Sequence, residues 1–192
     1  MKKVLLAAVL MLSSAATFAQ HAVGSINIQP KVGMNIATIT KAEGADPRIG
    51  LAVGAEVEYQ ATDLLSVTGG LIYSMQGAKA KVDNLTQTLK LDYLNIPILA
   101  NVYVTKGLAV KLGVQPGFNL SAKLKEKVGD NSAEQDMKSV KSFDFSIPVG
   151  LSYEYNNVVL DARYNWGLTK IADDGNSKNS VFQITLGYKF NL

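Results

Sequence analysis

From Asn27 to Leu192, apolar and polar side chains alternate in long runs, and a period of two is the pattern of a β-strand with one apolar and one polar face. Helical periodicity fails over the same span. Eight runs can be delimited. The first covers about Asn27 to Ile39, with Ile28, Val32, Met34 and Ile36 opposite Gln29, Lys31, Gly33 and Asn35. The second, Ile49 to Gln60, sets Leu51, Val53 and Val57 against Gly54, Glu56 and Glu58. The third, Leu65 to Gln76, follows a tight turn near Thr62-Asp63. The fourth, about Leu89 to Val104, changes phase between Tyr93 and Leu94, so a β-bulge is expected there to switch the face that follows. Leu108 to Ser121, Ser142 to Tyr155, Val158 to Leu168 and Phe182 to Leu192 complete the set, with Asn156-Asn157 forming a two-residue hairpin connection.

Run length and connection length together select an architecture. Runs of about 11 to 15 residues exceed the ordinary soluble strand and suit a tilted membrane-crossing one. The turns after the second, fourth and sixth runs are short, whereas the segments near 40–48, 77–88, 123–141 and 169–180 are longer and polar. Short turns on one side, long loops on the other and an even strand number describe an all-β, eight-stranded antiparallel up-and-down transmembrane β-barrel. The chain of 192 residues accommodates one such domain.

The first residues fit export. Basic Met1-Lys2-Lys3, the apolar run Val4 to Leu12 and small residues ending Phe18-Ala19-Gln20 have the layout of a secretory leader. Cleavage is expected after Ala19, giving a signal peptide over 1–19 and a barrel domain over 20–192. Without Lys2 and Lys3, 17 of the 19 basic residues remain against 16 acidic ones, a balance that does not suggest nucleic acid as a partner. The chain has no cysteine, which excludes disulfides, thiolate metal sites and a thiol nucleophile.

Period two alone leaves two barrels open: one with its apolar face toward lipid, and a soluble periplasmic, lipocalin-like barrel with that face around a ligand. Side-chain size favours the first. Glycines crowd the polar face, as a narrow lumen requires, while Tyr59, Tyr73, Tyr93, Tyr153, Tyr155, Tyr164, Trp166 and Tyr188 sit mostly toward run ends on the apolar face, like interfacial girdles. Lys31, Glu56, Glu58, Lys111, Asp144, Glu154, Asp161, Arg163 and Lys189 then point into the lumen, where they must pair. A salt-bridge network acting as a plug is the expectation, with Glu56 and Glu58 paired to Lys31 or Lys111.

The segments YLNIPILANVYV (Tyr93 to Val104) and GLAVKLGVQPGFNLSAK (Gly107 to Lys123) resemble the central hairpin of the small outer-membrane β-barrels of Bacteroidetes, the group that includes PorT-like proteins. The ending TLGYKFNL is similar to the C-terminal signal read by barrel-assembly machinery: Thr185, Gly187 and Phe190 fit, while Leu192 departs from the usual terminal aromatic. The resemblance implies an outer-membrane location, membrane lipid and the assembly machinery as partners, and little about activity.

Chemistry is sparse. His21, the only histidine, precedes the first run and reads as a disordered or surface residue, which removes Ser/His/Asp catalysis. Asp173-Asp174-Gly175-Asn176 lacks the further oxygens of a calcium loop and reads as a turn. Lys123-Leu124-Lys125-Glu126-Lys127 reads as a solvated rim whose lysines could meet lipopolysaccharide phosphates. No catalytic residue, metal site or cofactor is expected. The sequence therefore supports a non-enzymatic outer-membrane barrel with a structural or surface-interaction role and an unidentified external loop partner; a PorT-like accessory of a secretion system is the alternative.

Overall fold

Each alternating run becomes a strand, and the last strand pairs with the first. The computed structural model describes residues 21–42, 44–82, 85–129, 131–173 and 175–192. The expected leader over 1–19 and Asp174 lie outside the described residues. The strands are β1 (Ile26–Ile39), β2 (Ala45–Gln60), β3 (Leu65–Val82), β4 (Leu85–Asn95), β5 (Ile98–Thr105), β6 (Leu108–Val128), β7 (Asn131–Asp136), β8 (Phe143–Tyr155), β9 (Val158–Gly167), β10 (Asn179–Tyr188) and β11 (Phe190–Asn191).

Eight crossings form the ring. β4 and β5 are two halves of one crossing, interrupted at Ile96-Pro97 because proline cannot donate to the ladder. The flanking groups keep the pairing: the Ile96 amide donates to the Pro116 carbonyl at 2.8 Å and the Gly70 amide to the Pro97 carbonyl at 3.1 Å. β11 continues β10 past Lys189, and β1 pairs with both, so antiparallel pairing from Ile39↔Asn179 to Asn27↔Asn191 closes the ring. At this seam the backbones approach closely. A Cβ on Gly33 would lie 2.0 Å from the Ile184 carbonyl oxygen, which only glycine tolerates.

The faces divide by polarity. Val32, Leu112, Leu160 and Leu186 point outward and are about half exposed, while Asn35, Glu56, Asp161 and Arg163 point inward and are buried. This orientation rules out the lipocalin-like alternative, whose apolar face would line the lumen. Two aromatic levels bound the apolar belt. One, beside the short turns, holds Tyr59, Tyr153, Tyr155, Tyr188 and Phe190. At the other, Tyr73, Leu94, Phe118 and Phe143 stand in directly paired register, and the Phe118 and Phe143 rings meet edge to face at 5.7 Å. The short connection at Asn156-Asn157 has φ of 47° and 68°, the left-handed pair that a primed two-residue hairpin requires.

The structure corrects four expectations. The fourth crossing keeps its phase: Leu91, Tyr93, Asn95, Leu99, Asn101 and Tyr103 all face inward, and the bulge lies on β6, where Leu120 is the extra residue between Asn119 and Ser121. Tyr93 therefore leaves the lipid-facing girdle. It joins a small apolar cap with Leu91 and Ile171, flanked by Ile39, Leu89, Ala122 and Val140, which explains apolar residues on the lumenal face. Finally, 77–88 and 123–141 are mostly not irregular loops. β3, β4 and β6 run on beyond the outer girdle and β7 adds a fourth strand, building a sheet from Gly77–Val82, Leu85–Leu91, Ala122–Val128 and β7 that projects past the rim. The first long loop is also shorter than expected, covering 40–44.

Candidate functional site

The inward positions set the candidate site, because alternation on strands that surround one axis aims their polar side chains at each other. All nine sequence-selected charges are buried, and they fall into two clusters and one outlier. The central cluster crosses the lumen. Lys31 of β1 donates to Glu56 of β2 at 2.6 Å, and Lys111 of β6 donates to Asp161 of β9 at 2.7 Å. Arg163 joins the two halves: its Nε and Nη2 grip both oxygens of Asp161 at 2.8 and 2.6 Å, while Nη1 reaches Glu56 at 2.9 Å. Lys31 to Asp161 at 3.6 Å and Lys111 to Glu56 at 3.9 Å complete the cross-links. Three cations thus surround two carboxylates, each held through both oxygens, the arrangement that makes a buried ionic network tolerable.

The second cluster lies toward the short-turn end. Lys189 contacts Glu58 at 2.9 Å and Glu154 at 2.8 Å, and Tyr103 and Ser66 each donate to Glu58, at 2.5 and 2.7 Å. Glu58 therefore pairs with Lys189 and not with Lys31 or Lys111. His21, expected on the surface, instead enters this mouth and places Nε2 2.9 Å from Glu154 Oε1. The reason is local: the Gly24 amide donates to the Gln60 carbonyl at 2.8 Å, folding the segment before β1 back over the barrel end. Asp144 stands apart near the outer end, where Thr169 donates to it and, among the described residues, no base pairs with it.

Arg48 is a buried charge that the run boundaries missed. It donates to the Gln76 carbonyl from the residue just before the second run, on the phase that faces inward. Of the C-terminal residues, Thr185 and Gly187 face the lumen, whereas Phe190 and Leu192 are exposed, with the Phe190 ring 4.8 Å from that of Tyr188. Among the described residues no set of three His, Asp or Glu side chains could hold a metal ion. The central cluster, saturated by its own ion pairs, offers neither a hydroxyl nucleophile nor a vacant ligand set. Its chemistry is electrostatic cross-linking of the barrel wall.

Outside the membrane belt, Lys141 pairs with Asp173 at 2.7 Å and holds its carboxyl below the usual range, by hydrogen bond and by charge. On the projecting sheet, Lys90 donates to Glu134 and lowers that carboxyl in the same way, with Lys125 and Lys123 adding to the effect.

Comparison with known proteins fits this geometry. Ail, the attachment invasion locus protein of Yersinia pestis, solved in complex with the heparin analogue sucrose octasulfate, superposes with a TM-score of 0.53 at 15% identity, covering 88% of this chain and 100% of its own. Neisserial surface protein A superposes with a TM-score of 0.51 at 16% identity, covering 86% of this chain and 97% of its own. At such identities the likeness is one of fold. A search of curated proteins gives no match. The family model described as "Outer membrane protein beta-barrel domain" matches residues 18–173, most of the chain, and this protein therefore belongs to the outer membrane protein beta-barrel domain family.

Proposed function

We propose that this protein is a non-enzymatic outer-membrane barrel, exported by a leader over residues 1–19, whose lumen is plugged by its charge clusters and whose role is interaction at the cell surface through the projecting sheet. The observation that carries this reading is the placement of polar groups. Apart from Asp144 and Arg48, the lumenal charges are consumed by one another, while the strands β3, β4 and β6 extend past the outer girdle and present a broad sheet there. Extending three barrel strands costs backbone entropy, and only their own ladder and a small apolar cap offset it.

The test is fractionation of cells expressing the full chain, gel mobility with and without boiling, and protease treatment of intact cells. The expected result is an outer-membrane protein that migrates faster unboiled and is cut at the tip of the sheet from outside. Recovery in the soluble periplasm, or a sheet tip shielded from external protease, refutes the reading. A secretion-accessory role rests on the resemblance of Tyr93 to Lys123 alone; its test is deletion, and unimpaired secretion of all cargo removes it.

A further inference from the structure

The projecting sheet has two unlike faces. Directly paired residues of neighbouring strands share a face, so the register fixes which side chains stand together. One row holds Lys90 beside Lys123, directly opposed across β4 and β6. The next holds Lys79, Thr88 and Lys125, and the one above it Lys81, Thr86 and Lys127. The opposite face carries Ala80, Leu85, Leu89 and Leu124, and there Gln87 donates to Glu126 at 2.8 Å. The lysine face continues the lipid-facing side of the barrel, because Lys90 is an even number of residues from Leu94 within one unbroken strand.

Among the described residues, β3, β4 and β6 carry six lysines and no acid on these three rows. The acids lie at the edges, Asp46 opposite Lys79 on β2, and Glu134 and Asp136 opposite Lys125 and Lys123 on β7. One row below, Asp92 is engaged by the Tyr73 hydroxyl at 3.0 Å. Lys90 already donates to Glu134, on whose carboxyl Lys125 and Lys123 also act. Six lysines against three edge acids still leave an excess of cations, and like charges directly opposed across strands are destabilising, so the rows call for a further anion.

Height selects the anion. The lysine rows begin four residues above the Tyr73/Leu94/Phe118 girdle and end eight above it. At the usual strand rise and tilt they span about 10 to 20 Å above the girdle. That places them against the phosphorylated headgroups of the outer leaflet, with the side chains facing sideways into the lipid layer and not up toward solvent.

We infer that the Lys-Thr-Lys rows of β3, β4 and β6 form a binding face for the phosphate groups of an outer-leaflet glycolipid, each phosphate held by lysine ammoniums with the intervening threonine hydroxyl as a further donor. This rests on the surface-interaction reading above and names the ligand class for that sheet. Lysines near an anionic surface contribute about fivefold each to affinity at low salt. Neutralising four of them lowers it by about six hundredfold.

The experiment measures binding of fluorescent bis-phosphorylated lipid A, and of the same lipid with its phosphates removed, to the full chain in neutral detergent micelles. The chain is compared with a variant carrying Lys81→Gln, Lys90→Gln, Lys123→Gln and Lys127→Gln. Unchanged mobility of the unboiled variant verifies its folding; should it fail, Lys81→Gln with Lys127→Gln at the exposed tip replaces it. The expected result is tight binding of the phosphorylated lipid only, loss of about six hundredfold in the fourfold variant and about twenty-fivefold in the double one, and no competition from equimolar inorganic phosphate. Equal binding of both lipids, or full affinity in the variants, overturns the inference. Competition by inorganic phosphate assigns the face to free phosphate, and binding of heparin without lipid A assigns it to a soluble polyanion; either also overturns it. Fractionation and surface proteolysis test the underlying reading separately, so the two can fail independently.

Discussion

Replacing Arg163 with methionine removes the residue that joins the two halves of the central cluster while keeping much of its volume. Three charge-assisted hydrogen bonds are lost, two to Asp161 and one to Glu56. Two effects oppose each other. Glu56 Oε1 and Asp161 Oδ1 lose their partner inside the lumen, which by analogy with broken buried ion pairs costs about 3 to 5 kcal/mol. Yet the cluster falls from three cations against two carboxylates to two against two, and each carboxylate keeps a lysine, Lys31 on Glu56 and Lys111 on Asp161. The net cost is therefore expected at the lower bound, about 3 kcal/mol. Glu56→Gln should be worse, because three cations then face one carboxylate. Trp166 is the only tryptophan and faces lipid, so its fluorescence reports the transfer of the wall into water during urea unfolding. With the usual dependence on urea, Arg163→Met lowers the midpoint by about 1 to 2 M, and Glu56→Gln by more. A midpoint for Arg163→Met within error of the parent, or a reversed order of the two variants, refutes the idea that Arg163 ties the wall together.

Further outcomes follow from the same geometry. Gly33→Ala drives a Cβ into the Ile184 carbonyl at the closing seam and should cost about 1 to 3 kcal/mol and lower the yield of the fast-migrating band, whereas Gly69→Ala, with nothing within 4 Å, should leave both unchanged. Asn157→Ala should cost about 1 to 2 kcal/mol by refolding equilibrium, since it forces alanine to φ 68° and removes the hydrogen bond to the Lys189 carbonyl, and Asn157→Gly should restore part of it. The Lys141–Asp173 pair involves a carboxyl held low, so its contribution is present at neutral pH and lost as pH falls through that lowered value. Both groups are exposed, so Asp173→Asn should leave the unfolding midpoint in place and register only as faster proteolysis of residues 169–178.

The period of two made the crossings and their faces legible, because each strand needed only its own pattern to declare which side meets lipid. The nine lumenal charges could be selected for the same reason. What stayed hidden depended on neighbours. Leu91 and Tyr93 are apolar on the lumenal face because Ile171, about 80 residues later, folds over them, and no local pattern carries that contact. The phase change points to a bulge in their own strand, whereas the extra residue sits on the partner at Leu120. The projecting sheet did leave a trace in the alternation of Ala78, Lys79, Ala80, Lys81 and Val82, but lysines on one face made the segment look like loop. His21 carried no signal, since its place is set by the fold of the segment around Gly24.

The mouth cluster ties the segment before β1 to the strand that closes the barrel: His21 precedes β1, Lys189 lies between β10 and β11, and Glu154 contacts both. A chain that stops short of Lys189 leaves Glu58 and Glu154 facing each other in the mouth with their shared cation missing. The cluster thus makes the closing strand part of the charge balance of the mouth. Until the segment carrying Lys189 is in place, the mouth holds an uncompensated negative charge whose burial is unfavourable.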